Sequence, residues 1–344
     1  MGGLMRERND MLDLLKGIAI YSVVFLHILL PGNVGVAVNC LARFAVPLFF
    51  ISAGWYSWGT SARVQARRAV RTAGMLLWSC LGLTVFGCIL TLRSGGSAEQ
   101  YVLSRFSWSA AKELLLWQVF PLPYSWPMWF LMALLMLYCL WWLVTALLGK
   151  HIPWDLLAVV AVGLLATHLY MGEVRMLLGG TVDSLRIRNV WLDGLPFFLL
   201  GGWMHARENW WKAMPAPLLW GAAAAGALLS LFERSRTDFL DLHFGTVLMA
   251  LSLMAASVRC PGVGSAFLRR TLCFCGRHLT FYIFALHIPL YGIFTEWKGA
   301  VPLFAWVMER QWLRPFVIAA LCTLMAAALH YLTSRNRRRT HEDH

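Results

Sequence analysis

Two long apolar runs within residues 11–58 contain ionisable side chains, and this feature constrains the fold more strongly than any other in the sequence. Each run has about 20 residues, the length that a helix needs to cross the hydrocarbon core of a bilayer. The first run contains Asp13, Lys16 and His27, and the second contains Arg43. A charged side chain near the centre of a membrane costs about 2.5–3.5 kcal/mol, so we expect these residues to line a polar cavity.

The ionisable residues of the first run fall on one side of a helix. His27 follows Lys16 with ten residues between them, which places the two within roughly 20° of each other and ~16 Å apart along the helix axis. Asp13 lies within about 60° of Lys16 on the same side. The spacing therefore predicts an acid and a base at one end of the helix and an imidazole deeper in the span.

The composition is typical of a polytopic membrane protein. Of the 344 residues, 59% are hydrophobic and 14% are charged, whereas a soluble domain has about 45–50% apolar and about 25% charged residues. The net charge of +13 does not indicate nucleic-acid binding, because the basic residues alternate with apolar runs instead of forming one patch. We predict an all-α membrane helical bundle, formed by a single integral-membrane domain over residues 1–344 with a short basic cytoplasmic tail at 335–344.

Hydropathy predicts about ten spanning helices. They are placed near residues 12–30, 37–58, 73–92, 127–148, 154–171, 189–205, 215–232, 242–258, 279–297 and 312–333. Basic residues are concentrated in every second connection, including 61–72, which predicts that both termini are cytoplasmic. The loop with Arg175, Arg186 and Arg188 is an exception to this bias. No CxxC pair and no Cys/His zinc spacing occurs, so no metal site is predicted.

Two motifs at the start of the chain have a defined spacing. Residues 13–19 read DLLKGIA, with His27 following, and residues 43–54 read RFAVPLFFISAG. They resemble the membrane-integral acyltransferase-3 family, whose pattern is a basic residue, usually Arg, ten residues, then His, followed by a Pro-Leu-Phe-Phe span that ends in Ser-Gly. This chain has Lys16 at the basic position, which keeps the charge but lacks the bidentate fork of Arg. It also has Ala53-Gly54 where Ser-Gly is usual.

Three later segments extend the resemblance along the chain. They are Trp126-Pro-Met-Trp129-Phe130-Leu131, Leu195-Pro-Phe-Phe-Leu-Leu-Gly201-Gly202, and Leu286-His287-Ile-Pro289-Leu290. The resemblance implies a bacterial inner-membrane enzyme that moves an acyl group, most simply acetyl, from cytoplasmic acyl-coenzyme A. The acceptor it implies is a hydroxyl of an extracytoplasmic glycan or a lipid-linked sugar. No metal cofactor and no nucleic-acid partner is expected.

Site residues follow from the motifs. The histidine that matches His27 is held to be catalytic in the family, and we predict that Lys16 offsets negative charge while Asp13 positions it. The residues predicted to bind acyl-coenzyme A or substrate are Arg43, Arg67, Arg68, Arg71, Trp129 and His287. Guanidinium groups such as those of the 67–71 cluster suit phosphate recognition. Asp193, Asp241 and His243 are weaker candidates.

Structural alternatives exist for each of these residues. A snorkelling Lys16 that pairs with Asp13 across one helical turn would need no catalytic role. The arginines of the 67–71 cluster could serve only as positive-inside anchors. Trp129 could belong to an interfacial aromatic belt, and His287 could bind the carbonyl freed by Pro289.

Two other functions also fit the sequence. Intramembrane His, Asp and Lys residues form proton relays in transporters, so a proton-coupled small-molecule transporter is one alternative. Internal symmetry between broken helices would favour it, and none is found in the sequence. A membrane module that serves a partner enzyme is the other alternative.

Overall fold

The computed structural model of the chain describes residues 8–149, 151–183, 187–238 and 241–342, with side chains up to Arg335 at the C-terminal end. Arg186 and the tail side chains beyond Arg335 lie outside the described residues. In the described residues the regular structure is helical, and no strand occurs. The predicted all-α membrane bundle is thus confirmed.

Helices follow one another with short connections. Those used below are α1 (Asp10–His27), α2 (Gly32–Ala42), α3 (Ala45–Ser57), α4 (Ala62–Arg93), α5 (Ala98–Arg105), α6 (Trp108–Trp117), α7 (Met128–Leu148), α8 (Trp154–Leu169), α9 (Leu195–Ala206), α10 (Glu208–Ala213), α11 (Ala216–Arg236), α12 (Phe244–Arg259), α13 (Thr280–Trp297), α14 (Pro302–Glu309) and α15 (Arg314–Glu342). One π-helical turn, Val190–Gly194, leads directly into α9, and the helical segment 266–279 leads directly into α13.

Seven helical stretches of the described chain are long and apolar enough to cross a membrane. They are Gly32–Ser57, Ala62–Arg93, Met128–Leu148, Trp154–Leu177, Ala216–Arg236, Ala266–Trp297 and Arg314–Arg335. The other three predicted spans coincide with α1, which carries several charges, and with α9 and α12, which have only 12 and 16 residues. The protein is a multi-pass membrane helical bundle, and the count of ten spans stays a prediction.

One predicted connection is helical. Residues 61–72 were expected to link two spans, but α4 begins at Ala62 and continues for 32 residues to Arg93. Ala, Gln and Arg are strong helix formers, so this basic segment extends the following span as a helix instead of forming a loop. The arginines of the 67–71 cluster therefore project from the first turns of α4.

Close backbone contacts fix the helices around the centre of the bundle. A methyl group on Gly54 of α3 would lie 1.8 Å from the carbonyl oxygen of Phe198 in α9, and one on Gly201 would lie 2.0 Å from that of Ile51. Gly201 is therefore a packing residue between α3 and α9. Likewise a methyl group on Gly17 of α1 would lie 2.2 Å from the backbone oxygen of Leu272. Small residues thus let α1, α3 and α9 approach their neighbours closely.

Candidate active site

A polar cavity of about 160 Å³ lies at the C-terminal end of α1. Residues from distant parts of the sequence line it. Its ionisable and aromatic residues are His27, Arg43, Trp129, Arg188, Asp193 and Asp241. The cavity therefore brings together the predicted His27, Arg43 and Trp129, and the two weaker carboxylate candidates.

Helix ends and breaks place these side chains. His27 is the last residue of α1, and Arg43 lies at the break between α2 and α3. Asp193 belongs to the π-helical turn before α9, whose start is capped by the Asn189 side chain. Asp241 precedes α12. Irregular backbone at membrane depth is tolerated where it lines a cavity, which is the situation of all these residues.

His27 lies beside the second predicted histidine. The ring centroids of His27 and His287 are 5.4 Å apart. His287 is fully buried, and its Nδ1 is 2.7 Å from the carbonyl oxygen of Phe284 and 3.2 Å from that of Ile283. Because a carbonyl only accepts, Nδ1 carries the hydrogen and Nε2 is left as an acceptor. Nε2 has no hydrogen-bond partner among the described residues.

Two arginines, Arg43 and Arg188, line the cavity. The Nη1 of Arg43 is 3.7 Å from Oδ1 of Asp241, and its Nη2 donates to Oδ1 of Asn39 at 3.2 Å. The guanidinium of Arg188 lies over the indole of Trp129, 5.7 Å from the ring centroid. Arg43 has thus the acceptor partners that a buried guanidinium needs. Trp129 contributes an aromatic surface to the cavity in place of a purely interfacial role.

The two carboxylates of the cavity are incompletely paired. Asp193 is 4% exposed and Asp241 is 7% exposed. Within the described chain, Oδ1 of Asp193 and Oδ2 of Asp241 have no hydrogen-bond partner. Buried polar atoms are usually paired, so these two oxygens require an explanation.

Asp13 and Lys16 lie at the opposite end of α1, outside the cavity. The Nζ of Lys16 is 2.8 Å from Oδ1 of Asp13, which confirms a pair across one helical turn. Oδ2 of Asp13 also accepts hydrogen bonds from the Nε of Arg277, at 3.0 Å, and from its Nη2. The structure therefore separates this pair from His27 by most of the length of α1. Their roles in the reaction stay predictions.

Two basic residues, Lys16 and Arg68, lie beside Tyr56 at the same end of α1. Arg68 donates to the Ser57 hydroxyl at 3.0 Å and to the backbone oxygen of Tyr56 at 2.9 Å. The Lys16 ammonium is 5.9 Å from the centroid of the Tyr56 ring. Arg67 and Arg71 are exposed on the first turns of α4. Lys16, Arg67, Arg68 and Arg71 are called the basic rim below.

His243 lies in a different buried cluster. Its Nδ1 is 3.2 Å from Oε1 of Glu173, and together with Glu233 these residues offer ligand atoms within 4.8 Å of one another, close enough to hold a metal ion. The carboxylates already accept hydrogen bonds from the backbone at the start of α12, from Phe244 at 3.1 Å and from Gly245 at 2.9 Å. Carboxylates stabilise helix N-termini, so this cluster is explained by capping.

Arg188 is the cavity residue that sequence reasoning missed. It belongs to the loop that broke the alternation of basic connections. A cation that contradicts the charge bias of the loops is a signal of a specific partner, and Arg188 indeed lines the cavity with Asp193 and Asp241. The exception to the topology rule could therefore have identified it.

The fold and the cavity define a polytopic membrane protein in which a half-buried histidine, two half-buried arginines and two buried carboxylates meet inside a helical bundle. The chain matches the model of the acyltransferase-3 family, described as an acyltransferase domain, over residues 9–333. The chain belongs to this family and is a membrane acyltransferase, as its motifs predicted. A comparison with curated proteins and with solved structures finds no match.

Proposed function

We propose that the protein transfers an acyl group, most simply acetyl, from acyl-coenzyme A on the cytoplasmic side to a hydroxyl of an extracytoplasmic glycan or lipid-linked sugar. The observation that carries this proposal is the position of His27. In a chain of this acyltransferase family, His27 lines a cavity with two arginines and lies beside a second histidine. Imidazole is the side chain best suited to move a proton near neutral pH.

His27 serves as the base of the reaction. The acceptor oxygen attacks the thioester carbonyl, its proton passes to His27, and the carbon–sulfur bond breaks to release the coenzyme A thiolate, which takes up a proton. In the covalent variant the His27 ring nitrogen attacks the thioester carbonyl first and expels the coenzyme A thiolate. The acceptor oxygen then attacks the acyl group, the bond to the His27 nitrogen breaks, and the acceptor proton passes to the freed imidazole. His287 keeps its Nδ1 hydrogen on backbone carbonyls. It therefore presents a fixed neighbour to His27.

The basic rim is proposed to bind the donor. Its cations lie at the Asp13 end of α1, and no ion pair of Arg67, Arg68 or Arg71 occurs in the described part of the chain. Guanidinium groups without an ion pair suit the phosphates of coenzyme A, and its long pantetheine arm would carry the acyl group along α1 towards His27. Asp13 holds Lys16 within this rim through their 2.8 Å contact.

The test is turnover of labelled acetyl-coenzyme A by the purified protein in detergent. We expect thioester cleavage by the wild type and a fall of about 10²–10⁴-fold in His27→Ala, the range for loss of a general base. His278→Ala is a matched control, because His278 also belongs to a histidine pair, with ring centroids 4.9 Å from those of His330. A wild type without turnover, or an active His27→Ala variant, would contradict the proposal.

A further inference from the structure

Among the residues that the structure describes, one cation of the cavity at the C-terminal end of α1 makes no ion pair and no hydrogen bond. This cation is Arg188, which lines the cavity together with His27. A charged side chain inside a membrane protein is costly and usually marks a functional site. We propose that Arg188 donates hydrogen bonds to the oxyanion that forms on the thioester carbonyl during acyl transfer. This inference rests on the proposed function and assigns a further catalytic residue to the same site.

The other cation of the cavity already has partners. Nη1 of Arg43 lies 3.7 Å from Oδ1 of Asp241, and its Nη2 donates to Oδ1 of Asn39 at 3.2 Å. A guanidinium beside a carboxylate stabilises a new negative charge less, because the carboxylate repels that charge. Arg188 is therefore better suited than Arg43 to stabilise an anion that exists only during the reaction.

The aromatic contact of Arg188 leaves its hydrogen-bond donors available. Its guanidinium lies over the indole of Trp129, 5.7 Å from the ring centroid. A cation–π contact uses the positive charge of the group and none of its five N–H donors. No nitrogen of Arg188 belongs to the fully buried polar atoms that lack a partner in the described chain. Its donors are thus accessible to a ligand.

The backbone on both sides of Arg188 is fixed in the structure. Its neighbours Ile187 and Asn189 are buried. The Asn189 side chain accepts hydrogen bonds from the backbone of Trp191 at 2.9 Å and of Leu192 at 3.0 Å. Donors on a fixed backbone need little reorganisation when charge develops on a substrate, and this is the condition for strong stabilisation of a transition state.

The step that Arg188 assists is the addition to the thioester carbonyl. The acceptor oxygen or the His27 nitrogen forms a bond to the carbonyl carbon, and the electron pair of the C=O π bond moves to the oxygen. Arg188 donates to this oxyanion and keeps its own protons, because arginine is not deprotonated in proteins. The C=O bond then re-forms, the carbon–sulfur bond breaks, and the coenzyme A thiolate leaves. Direct and covalent transfer both pass through this oxyanion.

A role in the passage of the acceptor is the competing explanation for Arg188. With Trp129 it also lines a second cavity, of about 90 Å³. If the acceptor entered through that cavity, Arg188 would affect its entry instead of the chemistry. Hydrolysis separates the two roles, because water is small enough to enter whichever side chain lines the path. The oxyanion forms in hydrolysis as well.

The experiment measures hydrolysis of labelled acetyl-coenzyme A by the purified protein in detergent, without an added acceptor. We expect kcat to fall about 10²–10³-fold in Arg188→Gln, the range for removal of one oxyanion donor, with KM unchanged. Arg188→Lys keeps the charge but lacks the planar fork, so its kcat should lie between those of Arg188→Gln and the wild type.

Arg175→Gln is the matched control. Arg175 is an exposed arginine of the same segment between α8 and α9, and it lies outside the cavity. Its variant should keep the kcat and the KM of the wild type. An unchanged kcat in Arg188→Gln, or a higher KM at constant kcat, would overturn the inference.

Added guanidinium ion tests whether the loss concerns the chemistry or the fold. In Arg188→Ala the side chain is absent but its space remains, so millimolar guanidinium chloride should restore part of the lost kcat. Urea at the same concentration carries no charge and should restore nothing. A loss of kcat in Arg188→Ala that guanidinium does not restore would also overturn the inference.

Failure of the proposed function is recognised separately. A wild type that does not cleave acetyl-coenzyme A contradicts both proposals. An active wild type with any of the contrary results for the Arg188 variants contradicts only the assignment of Arg188.

Discussion

The two ends of α1 carry ionisable residues of similar kinds but differ in their pairing. At the N-terminal end, Asp13 accepts hydrogen bonds from Arg277 and contacts Lys16 at 2.8 Å. At the C-terminal end, His27 lies beside His287, whose Nε2 has no partner in the part of the chain that the structure describes. Buried polar groups are nearly always paired unless they serve another purpose. We therefore expect the first end to contribute more to stability, and we propose that the second end binds a ligand.

Removing the Asp13 carboxylate at the N-terminal end of α1 should have the largest effect on stability. Asp13→Asn leaves Lys16 without its carboxylate and Arg277 with only that of Asp10, at 3.4 Å. Removing one partner of a buried pair costs about 3–5 kcal/mol. Because the Arg277 side chain is 25% exposed, we expect the lower value of about 3 kcal/mol. This loss is measured as the difference in the free energy of unfolding between the wild type and Asp13→Asn in detergent micelles.

Asp155→Asn is the control for this loss. Asp155 and Arg207 are both more than half exposed, so their pair is expected to contribute within about 1 kcal/mol. Equal stability of the Asp13→Asn and Asp155→Asn variants would show that the paired end of α1 does not stabilise the fold.

Substitutions at the C-terminal end of α1 should affect turnover instead of stability. His287→Asn removes the neighbour of His27 and its hydrogen bonds to Phe284 and Ile283. Loss of one such positioning contact corresponds to about a tenfold fall in kcat, with KM for acetyl-coenzyme A unchanged. His330→Asn, the second member of the other histidine pair, should leave kcat unchanged. An increase in KM with a constant kcat would place His287 in ground-state binding.

The smallest expected effect concerns the basic rim. Arg67→Gln combined with Arg71→Gln removes two exposed cations and should raise KM for acetyl-coenzyme A about fivefold at low salt, with kcat unchanged. The difference should shrink at high salt, because exposed charges are screened. Arg269→Gln combined with Arg270→Gln removes the same charge from another exposed pair. If both double variants change KM equally, the rim has no specific role in donor binding.

The sequence predicted the positions of the helices better than the contacts between them. Apolar runs and motif spacing located the helical spans and the Asp13–Lys16 pair, because both depend on residues close together in the chain. The extent of α4 was missed, since a basic segment of good helix formers was taken as a connection. The topology rule concerns the side of the membrane on which this segment lies and not its conformation, which helix propensity determines.

The sequence did not show which residues meet in the cavity, because these contacts join distant parts of the chain. His27 and Arg43 came from motifs, but their meeting with Arg188 and Asp193 depends on how α3 packs on α9. Helical periodicity predicts which face of a helix a residue occupies and not which helix it faces. Asp241 was only a weak candidate for the same reason, because its connection approaches Arg43 only in the folded bundle.

The contact between α3 and α9 has a consequence for how finely the cavity is shaped. Arg43 immediately precedes the α3 region and Asp193 lies just before α9, while Gly54 and Gly201 bring those two helices into backbone contact further along. The separation of the cavity walls therefore depends on the absence of a side chain at glycines about two to three turns away. The width of the cavity can thus be altered by substitutions at two residues that do not line it.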